Sequence, residues 1–422
     1  MRVILYKGII LISIIYKITQ LKERNLVAYI NFKEEVFKGK EELHKRIENN
    51  KKLFTEIKND KSKISISLDE KYSFRTIKDR TINNSKTENE GEFLEIADKN
   101  IVCTEFIKCK FYNIKFKNCT FVACKFIECD FGGGGVIFEN CTLILEEINN
   151  VPSLNKKDNL SCTFEKCKLY CKFLSSNITY LIIDGCELKD TSFELTDMSN
   201  MIIINSYMKK INLMDIDFSG GKTIATYIED MEFNDKLKSK LDPKTFFDKI
   251  EPKEKTKAEY EGIYAIYEAI ADKYNENNLK NNFGEYYYLC KNMQRKSLDK
   301  ALPKITSYIY WFTCGYGERI SFPLITSLVL MLIFAILYII LGYSSEKEVI
   351  AYWWGIGLPK TFNEFLSQFN QCINISVEVF TGLGSDNETP IPSSFIVANA
   401  EMIIGVIMMG VGIGTLTRKL VR

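Results

Sequence analysis

The C-terminal part of the chain contains two long apolar stretches, at about 321–343 and 394–416. Each has about the 20 residues that a membrane-crossing helix needs. Between them, the segment 362–380 has the composition of a short helix and leads into a Gly-x-Gly turn. Glycine lacks a side chain and adopts left-handed backbone angles, so backbone carbonyl groups there can line an ion path. The pattern predicts a two-transmembrane α-helical pore domain over 306–422, with 362–380 as a re-entrant pore helix.

A five-residue hydrophobic period runs through the middle of the chain, over about 96–220. This period fits neither a helix, with 3.6 residues per turn, nor a strand, which alternates every two residues. It fits a solenoid whose chain turns a corner at every repeat, with coils about 4.8 Å apart. The period is interrupted at Gly132–Gly135 and by a polar loop at 146–160, and it slips by one residue after Leu169. The large apolar positions are Ile101, Phe106, Phe111, Phe116, Phe121, Phe126, Phe131, Phe138, Leu143, Phe164, Leu169, Phe173, Ile178, Ile183, Leu188, Phe193, Met198, Ile203, Met208, Leu213 and Phe218.

The repeat resembles that of the pentapeptide-repeat family. The resemblance implies a right-handed quadrilateral β-helix with four repeats in each coil over 96–220. The usual family pattern has Leu at the centre of each repeat and Ala two positions earlier, whereas Phe and Cys replace them in the first half here. The larger ring beside a sulfur is plausible in volume, because a free cysteine packs as a small hydrophobic residue.

Most of the 13 cysteines fall two positions before a large apolar residue of the repeat. This placement predicts buried, reduced thiols, which imply a cytoplasmic location for the domain. A metal or redox site is the alternative, but it requires converging ligands with spacings such as Cys-x-x-Cys, which the sequence lacks. The cysteines in this position are Cys109, Cys119, Cys124, Cys129, Cys141, Cys162, Cys167, Cys171 and Cys186.

The regions on either side of the repeat are predicted to be helical. Residues 221–305 carry apolar residues at helical spacing on both sides of a polar turn at 275–278, which predicts a cytoplasmic helical hairpin that links repeat and pore. Its tyrosines at 286–288 are expected to pack in a core or an interface, with ligand binding as the alternative. Residues 1–95 are expected to be a charged, partly helical region, with a helix at about 33–58 and a loose charged stretch after it.

Two shorter segments have open or weaker interpretations. The apolar run at 8–16 is too short to span a bilayer, so we expect a capping strand or an interfacial helix, with a signal peptide or anchor as the alternative. Aromatic residues at 308–312 fit the membrane–water boundary, and Tyr-Gly-Glu-Arg follows at 316–319. The hairpin and this motif resemble the linker of bacterial pentapeptide-repeat proteins with a C-terminal channel domain. A bacterial origin also fits the Lys-, Asn- and Ile-rich composition.

Basic residues set the expected orientation in the membrane. The loop at 344–392 has few of them and several acids, whereas both outer flanks of the two spans are basic. By the positive-inside rule, the N- and C-termini are cytoplasmic and the loop faces outward, in a multi-pass protein of the plasma (inner) membrane surrounded by lipid. The flanking basic residues are Lys296, Lys300, Lys304, Arg319, Arg418, Lys419 and Arg422.

The second span resembles the inner helix of two-transmembrane potassium channels. The resemblance implies a homotetramer that conducts monovalent cations without a cofactor. It also implies an ion-selectivity filter made of Thr381, Gly382, Leu383, Gly384 and Ser385, with Asp386 at the outer mouth.

This filter departs from the usual Thr-Val-Gly-Tyr-Gly-Asp. Aligned on the glycines, Phe380 replaces Thr, Thr381 replaces Val and Leu383 replaces Tyr, while Ser385 separates the second glycine from Asp386. The change removes a hydroxyl coordination ring and a bracing tyrosine. The resemblance therefore implies a cation channel and leaves potassium selectivity open.

Four further residues are candidates for pore support or gating. Glu378 and Glu401 are ionisable groups within or near the membrane, where such groups are costly and usually functional. Glu401 is expected to brace the pore helix or a subunit contact, with a role in permeation or gating as the alternative. Gly405 is where the inner helix is expected to bend. Gly410, with Gly412 and Gly414, is expected to serve either close helix packing or gating.

Composition argues against other classes of function. The net charge is only +2, and acidic and basic residues balance across the repeat, which predicts no nucleic-acid partner and no mimicry of DNA. With a single histidine, His44, and no nucleophile–base pattern, we expect no enzyme. A non-conducting, membrane-anchored interaction scaffold is the alternative to a channel. The cytoplasmic ligand or protein that the repeat domain would bind is not indicated by the sequence.

Overall fold

The computed structural model describes residues 29–61, 66–83, 93–145, 160–345, 348–383 and 388–420. The expectations for 8–16 therefore lie outside the described residues. The chain divides into two compact units. One runs from Tyr29 to Ser297, and the other contains Met1–Ala28 and Leu298–Arg422.

The first unit contains a β-solenoid made of short strands. It is longer than the predicted 96–220, because strands run from Thr76 to Phe247. The sequence does not predict the coils before residue 96, because strands such as Thr76–Lys78 contribute a single inward apolar residue each. The strands are β1 (Thr76–Lys78), β2 (Thr81–Ile82), β3 (Leu94–Ala97), β4 (Asn100–Val102), β5 (Glu105–Ile107), β6 (Lys110–Phe111), β7 (Ile114–Lys117), β8 (Thr120–Val122), β9 (Lys125–Ile127), β10 (Val136–Glu139), β11 (Thr163–Glu165), β12 (Lys168–Leu169), β13 (Cys171–Leu174), β14 (Ile182–Asp184), β15 (Glu187–Lys189), β16 (Ser192–Glu194), β17 (Ile202–Ile204), β18 (Tyr207–Lys209), β19 (Ile211–Met214), β20 (Lys222–Ile224), β21 (Tyr227–Ile228), β22 (Met231–Phe233) and β23 (Phe246–Phe247).

These strands stack in parallel rows on four sides of the coil. One side has the order β1-β5-β9-β11-β14-β17-β20-β23, a second β3-β7-β10-β13-β16-β19-β22, and a third contains β2-β6 and β12-β15-β18-β21. The fourth side begins with β4-β8 and continues through single bridges from Thr120 to Lys240. Phe106 pairs with Phe126 and Ile183 with Ile203, so a regular coil has 20 residues, or four five-residue repeats.

The breaks in the sequence period are insertions that leave the strand pairing intact. Ile114 pairs with Val136, so the glycine segment adds two residues to that coil. Lys125 pairs with Thr163 across the polar loop, whose residues 146–159 are not described. In both places the next described coil resumes in register.

The solenoid core consists of stacked aromatic and aliphatic ladders. Phe126 and Phe164 stack with ring centroids 4.7 Å apart, and Phe138 and Phe173 stack at 4.8 Å. These spacings are close to the distance between neighbouring strands, so in the aromatic ladders each ring lies directly on the ring of the next coil. The ladders explain why the same residue type recurs at the centre of successive repeats.

The cysteines of the repeat are buried and free. Most of the thiols lie against backbone carbonyl oxygens; Cys129 Sγ, for example, is 3.3 Å from the carbonyl oxygen of Phe106 and 3.5 Å from that of Ile127. The predicted packing role is therefore accompanied by a hydrogen-bonding role. Within the described part of the chain, no group of three or more His, Cys, Asp or Glu residues is placed to hold a metal ion.

Helix α1 (Phe32–Asn59) covers apolar side chains that point outward from the solenoid. Leu53 and Ile57 pack with Val102 and Val122 in a separate small core. Near the other end of the helix, an added Cβ at Gly39 would lie 2.3 Å from Cδ1 of Ile224, so glycine allows the helix to approach closely.

Polar contacts hold α1 against successive coils. Arg46 donates hydrogen bonds to the carbonyl oxygens of Tyr180, at 3.4 Å, and Asn200, at 2.7 Å. Asn50 donates to the hydroxyl of Ser161 at 3.1 Å. The predicted helix at 33–58 is thus part of the solenoid unit, a contact that the sequence reading did not predict.

A helical hairpin closes the C-terminal end of the solenoid. It consists of α2 (Lys257–Glu276) and α3 (Lys280–Ser297). The hydroxyl of Tyr286 accepts from the backbone N–H of Phe247 at 2.8 Å and donates to its carbonyl oxygen at 2.7 Å. The hydroxyl of Tyr267 accepts from the N–H of Ile250 at 2.8 Å. These tyrosines occupy the core of the cap, in line with the packing interpretation.

The second unit is mainly helical. Its helices are α4 (Ala301–Cys314), α5 (Ser321–Leu341), α6 (Phe362–Thr381) and α7 (Phe395–Leu420). Two of them, α5 and α7, are long and apolar enough to cross a membrane. The first predicted span extended to 343, but α5 ends at Leu341 because Gly342 adopts a φ of 118° and Tyr343 enters a strand.

A small antiparallel sheet connects the two long helices. It consists of β24 (Tyr343–Ser345), β25 (Val349–Ile350) and β26 (Glu388–Pro390), with β24 in the centre. The hydroxyl of Ser394 donates to the carbonyl oxygen of Gly342 at 2.7 Å. The end of α5 and the start of α7 are therefore fixed together.

Candidate functional site

Helix α6 packs between the two long apolar helices. Cys372 and Ile375 of α6 share a core with Phe334, Ala335 and Tyr338 of α5. The partly buried residues around this core include Val397, Ala398 and Ile404 of α7. The three helices thus follow one another in the predicted order along the chain, and they also pack against one another.

A buried carboxylate connects all three helices. Glu401 of α7 is fully buried, and the hydroxyl of Tyr338 on α5 donates to its Oε2 at 2.7 Å. The Oε1 atom is hydrogen-bonded to the hydroxyl of Ser376 on α6, which also lies 2.9 Å from the carbonyl oxygen of Met331. A buried acid is costly unless polar partners surround it, so these contacts fix the relative positions of the helices.

Gly405 lies where the backbones of α6 and α7 come into direct contact. A Cβ atom there would be 2.1 Å from the carbonyl oxygen of Phe380 and 2.9 Å from its carbonyl carbon. Helix α7 continues through this position without a break. The described role of Gly405 is therefore close packing against the end of α6; the predicted bend stays a prediction.

The end of α6 carries the first residues of the predicted filter. Thr381 belongs to the last helical turn, and its hydroxyl donates to the carbonyl oxygen of Val377 at 2.7 Å. Gly382 has left-handed backbone angles, with φ 73°, and ends the helix. Leu383 is 82% exposed. Gly384, Ser385 and Asp386 lie outside the described residues.

Glu378 and Gly410 occupy different surroundings. Oε2 of Glu378, one turn before the end of α6, is buried and has no hydrogen-bond partner within the described part of the chain. Gly410 has no described atom within 4 Å of where a Cβ would lie, and the same holds for Gly414. These two glycines therefore face an open side of α7, whereas Glu401 and Gly405 face the packed side.

The sequence reading missed two members of this site, Tyr338 and Ser376. Both are polar residues within apolar helical segments, and that position was the available signal. Their partner Glu401 is distant in the chain, so only the packing of the helices identifies them as a group.

Comparison with known proteins identifies the first unit. Residues 106–144 match the family model described as pentapeptide repeats (9 copies), so the chain carries a pentapeptide-repeat β-solenoid domain. No curated protein matches the chain.

Solved structures with some likeness are also pentapeptide-repeat or resistance proteins by their descriptions. A trypsin-treated variant of QnrB1, a plasmid-mediated fluoroquinolone resistance protein, is 18% identical, with a TM-score of 0.18, over 42% of this chain and 74% of that chain. HetL, a pentapeptide-repeat protein involved in heterocyst differentiation regulation from the cyanobacterium Nostoc sp. strain PCC 7120, is 11% identical. That likeness has a TM-score of 0.17 and covers 43% of this chain and 89% of that chain. Scores this low support no argument about function.

Proposed function

We propose that the chain is the subunit of a homotetrameric cation channel with a cytoplasmic pentapeptide-repeat domain. The observation that carries the proposal is the seating of α6 between α5 and α7. Its C-terminal end stops at a left-handed glycine, and its backbone touches α7 at Gly405. A short helix held in this way, with irregular backbone after it, is what a re-entrant pore helix requires.

Tetramer formation accounts for the open side of α7. Large apolar side chains on this side are exposed in the single chain, among them Ile403, Val406 and Ile413. One α5–α6–α7 unit cannot enclose a path, whereas four copies around an axis can. In this arrangement, part of the open side contacts a neighbouring copy and part lines the path, with Gly410 and Gly414 allowing close approach.

Lipid would surround the tetramer along α5. Leu324, Leu328 and Leu332 recur one helical turn apart and are exposed. On α4, Ile305, Tyr308 and Ile309 are exposed, and aromatic residues favour the membrane–water boundary. We assign α4 to the inner boundary of the plasma (inner) membrane, with both termini in the cytoplasm.

Selectivity is the open part of this proposal. The filter would comprise Thr381 to Ser385, with Asp386 as a charged outer ring that attracts cations. Leu383 has no hydroxyl to brace the filter against its surroundings. We therefore propose a cation pore whose preference for potassium over sodium is weak or absent.

Reconstitution into planar bilayers tests the function. With potassium on one side and sodium on the other, unitary currents that reverse near zero would agree with a non-selective cation pore. Reversal near the potassium potential would mean that the filter selects despite its divergence. A verified tetramer without unitary current under any condition would contradict the proposal.

The alternative is a membrane-anchored scaffold that does not conduct, which the divergent filter favours. Chemical cross-linking in native membranes separates the two ideas before any electrical recording. A channel requires a discrete tetramer, whereas a scaffold has no such requirement. A strictly monomeric band would favour the scaffold.

A further inference from the structure

The Gly-Tyr-Gly-Glu-Arg segment before α5 forms an unusual turn. Gly315, Tyr316 and Gly317 all have left-handed backbone angles, with φ values of 54°, 57° and 78°. Such a conformation is unfavourable for tyrosine and persists only where the surroundings enforce it. The turn is therefore shaped for a specific contact.

That contact is with the last turn of α7. Glu318 is completely buried at its side chain, and its Oε1 lies 2.9 Å from Nη2 of Arg418. Its Oε2 lies 3.4 Å from Nζ of Lys419. An added Cβ at Gly317 would be 3.0 Å from Nη1 of Arg418, so the glycine makes room for the guanidinium group.

We propose that Glu318, Arg418 and Lys419 form a latch that fixes the cytoplasmic end of α7 to the turn before α5 and thereby controls pore opening. This inference rests on the proposed channel function. The Glu318 carboxylate has no access to solvent, so losing these two cations would be costly for it, and this cost favours the arrangement described.

The position of the latch along α7 gives it mechanical control. Glu401 fixes one part of α7 to α5 and α6, and the latch fixes the end about 25 Å further along the helix. Between these two points lie Gly410, Gly412 and Gly414, and glycine is among the weakest helix formers. With both points held, this segment cannot swing; with the latch open, its cytoplasmic end is free to move.

The latch can respond to the cytoplasm because it is only partly shielded. The side chain of Arg418 is 41% exposed and that of Lys419 is 14% exposed, whereas Glu318 is inaccessible. Ions or a negatively charged partner can therefore reach Arg418 but not the carboxylate of Glu318. The latch is opened by competition for Arg418.

Hydrogen exchange on the full-length protein in lipid nanodiscs tests the latch without relying on conduction. Two variants remove it from opposite sides, Glu318→Gln and the pair Arg418→Gln with Lys419→Gln. Each should accelerate amide exchange at 415–420 by about tenfold, and combining them should add little. The Lys300→Gln variant removes one exposed cytoplasmic charge and should leave exchange at 415–420 unchanged.

Bilayer recordings of the same variants then show whether the latch also controls pore opening. Faster exchange together with an altered open probability supports the latch. Unchanged exchange in both variants overturns it, whatever the currents. Faster exchange with unchanged open probability overturns its role in gating. A wild-type tetramer without current would overturn the channel function, while the exchange data would still report whether the latch exists. If Glu318→Gln fails to fold, the variant with altered Arg418 and Lys419 provides the same test from the more exposed side.

Discussion

At the residue scale, thiols and hydroxyls occupy the same position of the solenoid repeat and make the same hydrogen bond. Along a single column, the N–H of Cys167 donates to Sγ of Cys186 at 3.2 Å, the N–H of Cys186 to Oγ of Ser206 at 3.1 Å, and the N–H of Ser206 to Oγ1 of Thr226 at 3.4 Å. Each side chain accepts from the coil below it. The column requires a small group that can accept a hydrogen bond, and three residue types meet this requirement.

Replacement of Cys186 by valine should therefore destabilise the solenoid more than replacement by serine. Valine removes the acceptor for the buried N–H of Cys167 and should lower the free energy of unfolding by about 1–3 kcal/mol. Serine keeps the acceptor and should change it by less than about 1 kcal/mol. Urea unfolding followed by far-ultraviolet circular dichroism measures both. Equal destabilisation by the two replacements would contradict the hydrogen-bonding role.

The thiols should also be chemically protected. Twelve of the 13 cysteines are buried, and Cys314 alone is partly exposed. Burial raises the pKa of Cys103 to about 12 and that of Cys290 to about 12, so these two stay protonated at neutral pH. Titration of native protein with a thiol reagent at pH 8 should label about one cysteine quickly, and all should react in urea. Rapid labelling of several thiols in the native protein would be inconsistent with the closed solenoid core.

At the scale of elements, the contact between α6 and α7 requires a residue without a side chain at position 405 of α7. Gly405 and Gly410 lie on the same helix, yet only Gly405 faces the backbone of another helix. The sequence predicted a bend at Gly405 and close packing or gating at Gly410, and it did not predict the contact between Gly405 and α6. Their difference arises from the side of α7 on which each residue falls.

Gly405→Ala and Gly410→Ala form a matched pair that tests this contact. Alanine at 405 must displace the end of α6, which should destabilise the folded unit by about 1–3 kcal/mol and abolish unitary current. Alanine at 410 meets no described atom within its own chain and removes the helix-propensity cost of glycine. Thermal unfolding in detergent and bilayer recording provide the two readouts. A Gly405→Ala channel that conducts like the wild type would show that the contact is not needed.

The sequence predicted the solenoid well because its period repeats many times, and each repeat gives independent support. It did not predict that α1 packs along the solenoid. A signal was present, since Val102, Val122 and Ile224 are apolar at outward positions where a solvated surface would be polar. Periodicity identifies which residues point inward, but it does not identify what covers those that point outward.

The hydrogen-bond partners of Glu401 could not be predicted from the sequence for a related reason. Helical periodicity places Glu401, Tyr338 and Ser376 on faces of their own helices. It does not give the rotation of those helices relative to one another, on which the contact depends.

At the scale of the whole molecule, the unit from Tyr29 to Ser297 must be treated as one piece. Deleting only 96–220 would cut through coils and leave α1 and the hairpin without the surfaces that they cover. Deleting 29–297 removes the unit at its own boundaries.

We expect the chain without residues 29–297 to form tetramers and conduct, but with a different open probability. The reason is that the helical core around Glu401, Tyr338 and Ser376 lies entirely within the remaining unit. Size-exclusion chromatography with light scattering and single-channel recording measure the two properties. An unchanged open probability would contradict a regulatory role for the solenoid, and loss of the tetramer would mean that the solenoid unit is needed for assembly.

The hairpin at the end of the solenoid has a consequence for how many molecules can join. A parallel solenoid ends in strands with unpaired backbone groups, and such an edge can pair with the exposed edge of another molecule. The hydroxyl of Tyr286 is hydrogen-bonded to both the N–H and the carbonyl oxygen of Phe247. By covering the terminal strand, α2 and α3 close this end of the solenoid, and a chain ending before Lys257 is expected to associate with a second copy through the exposed edge.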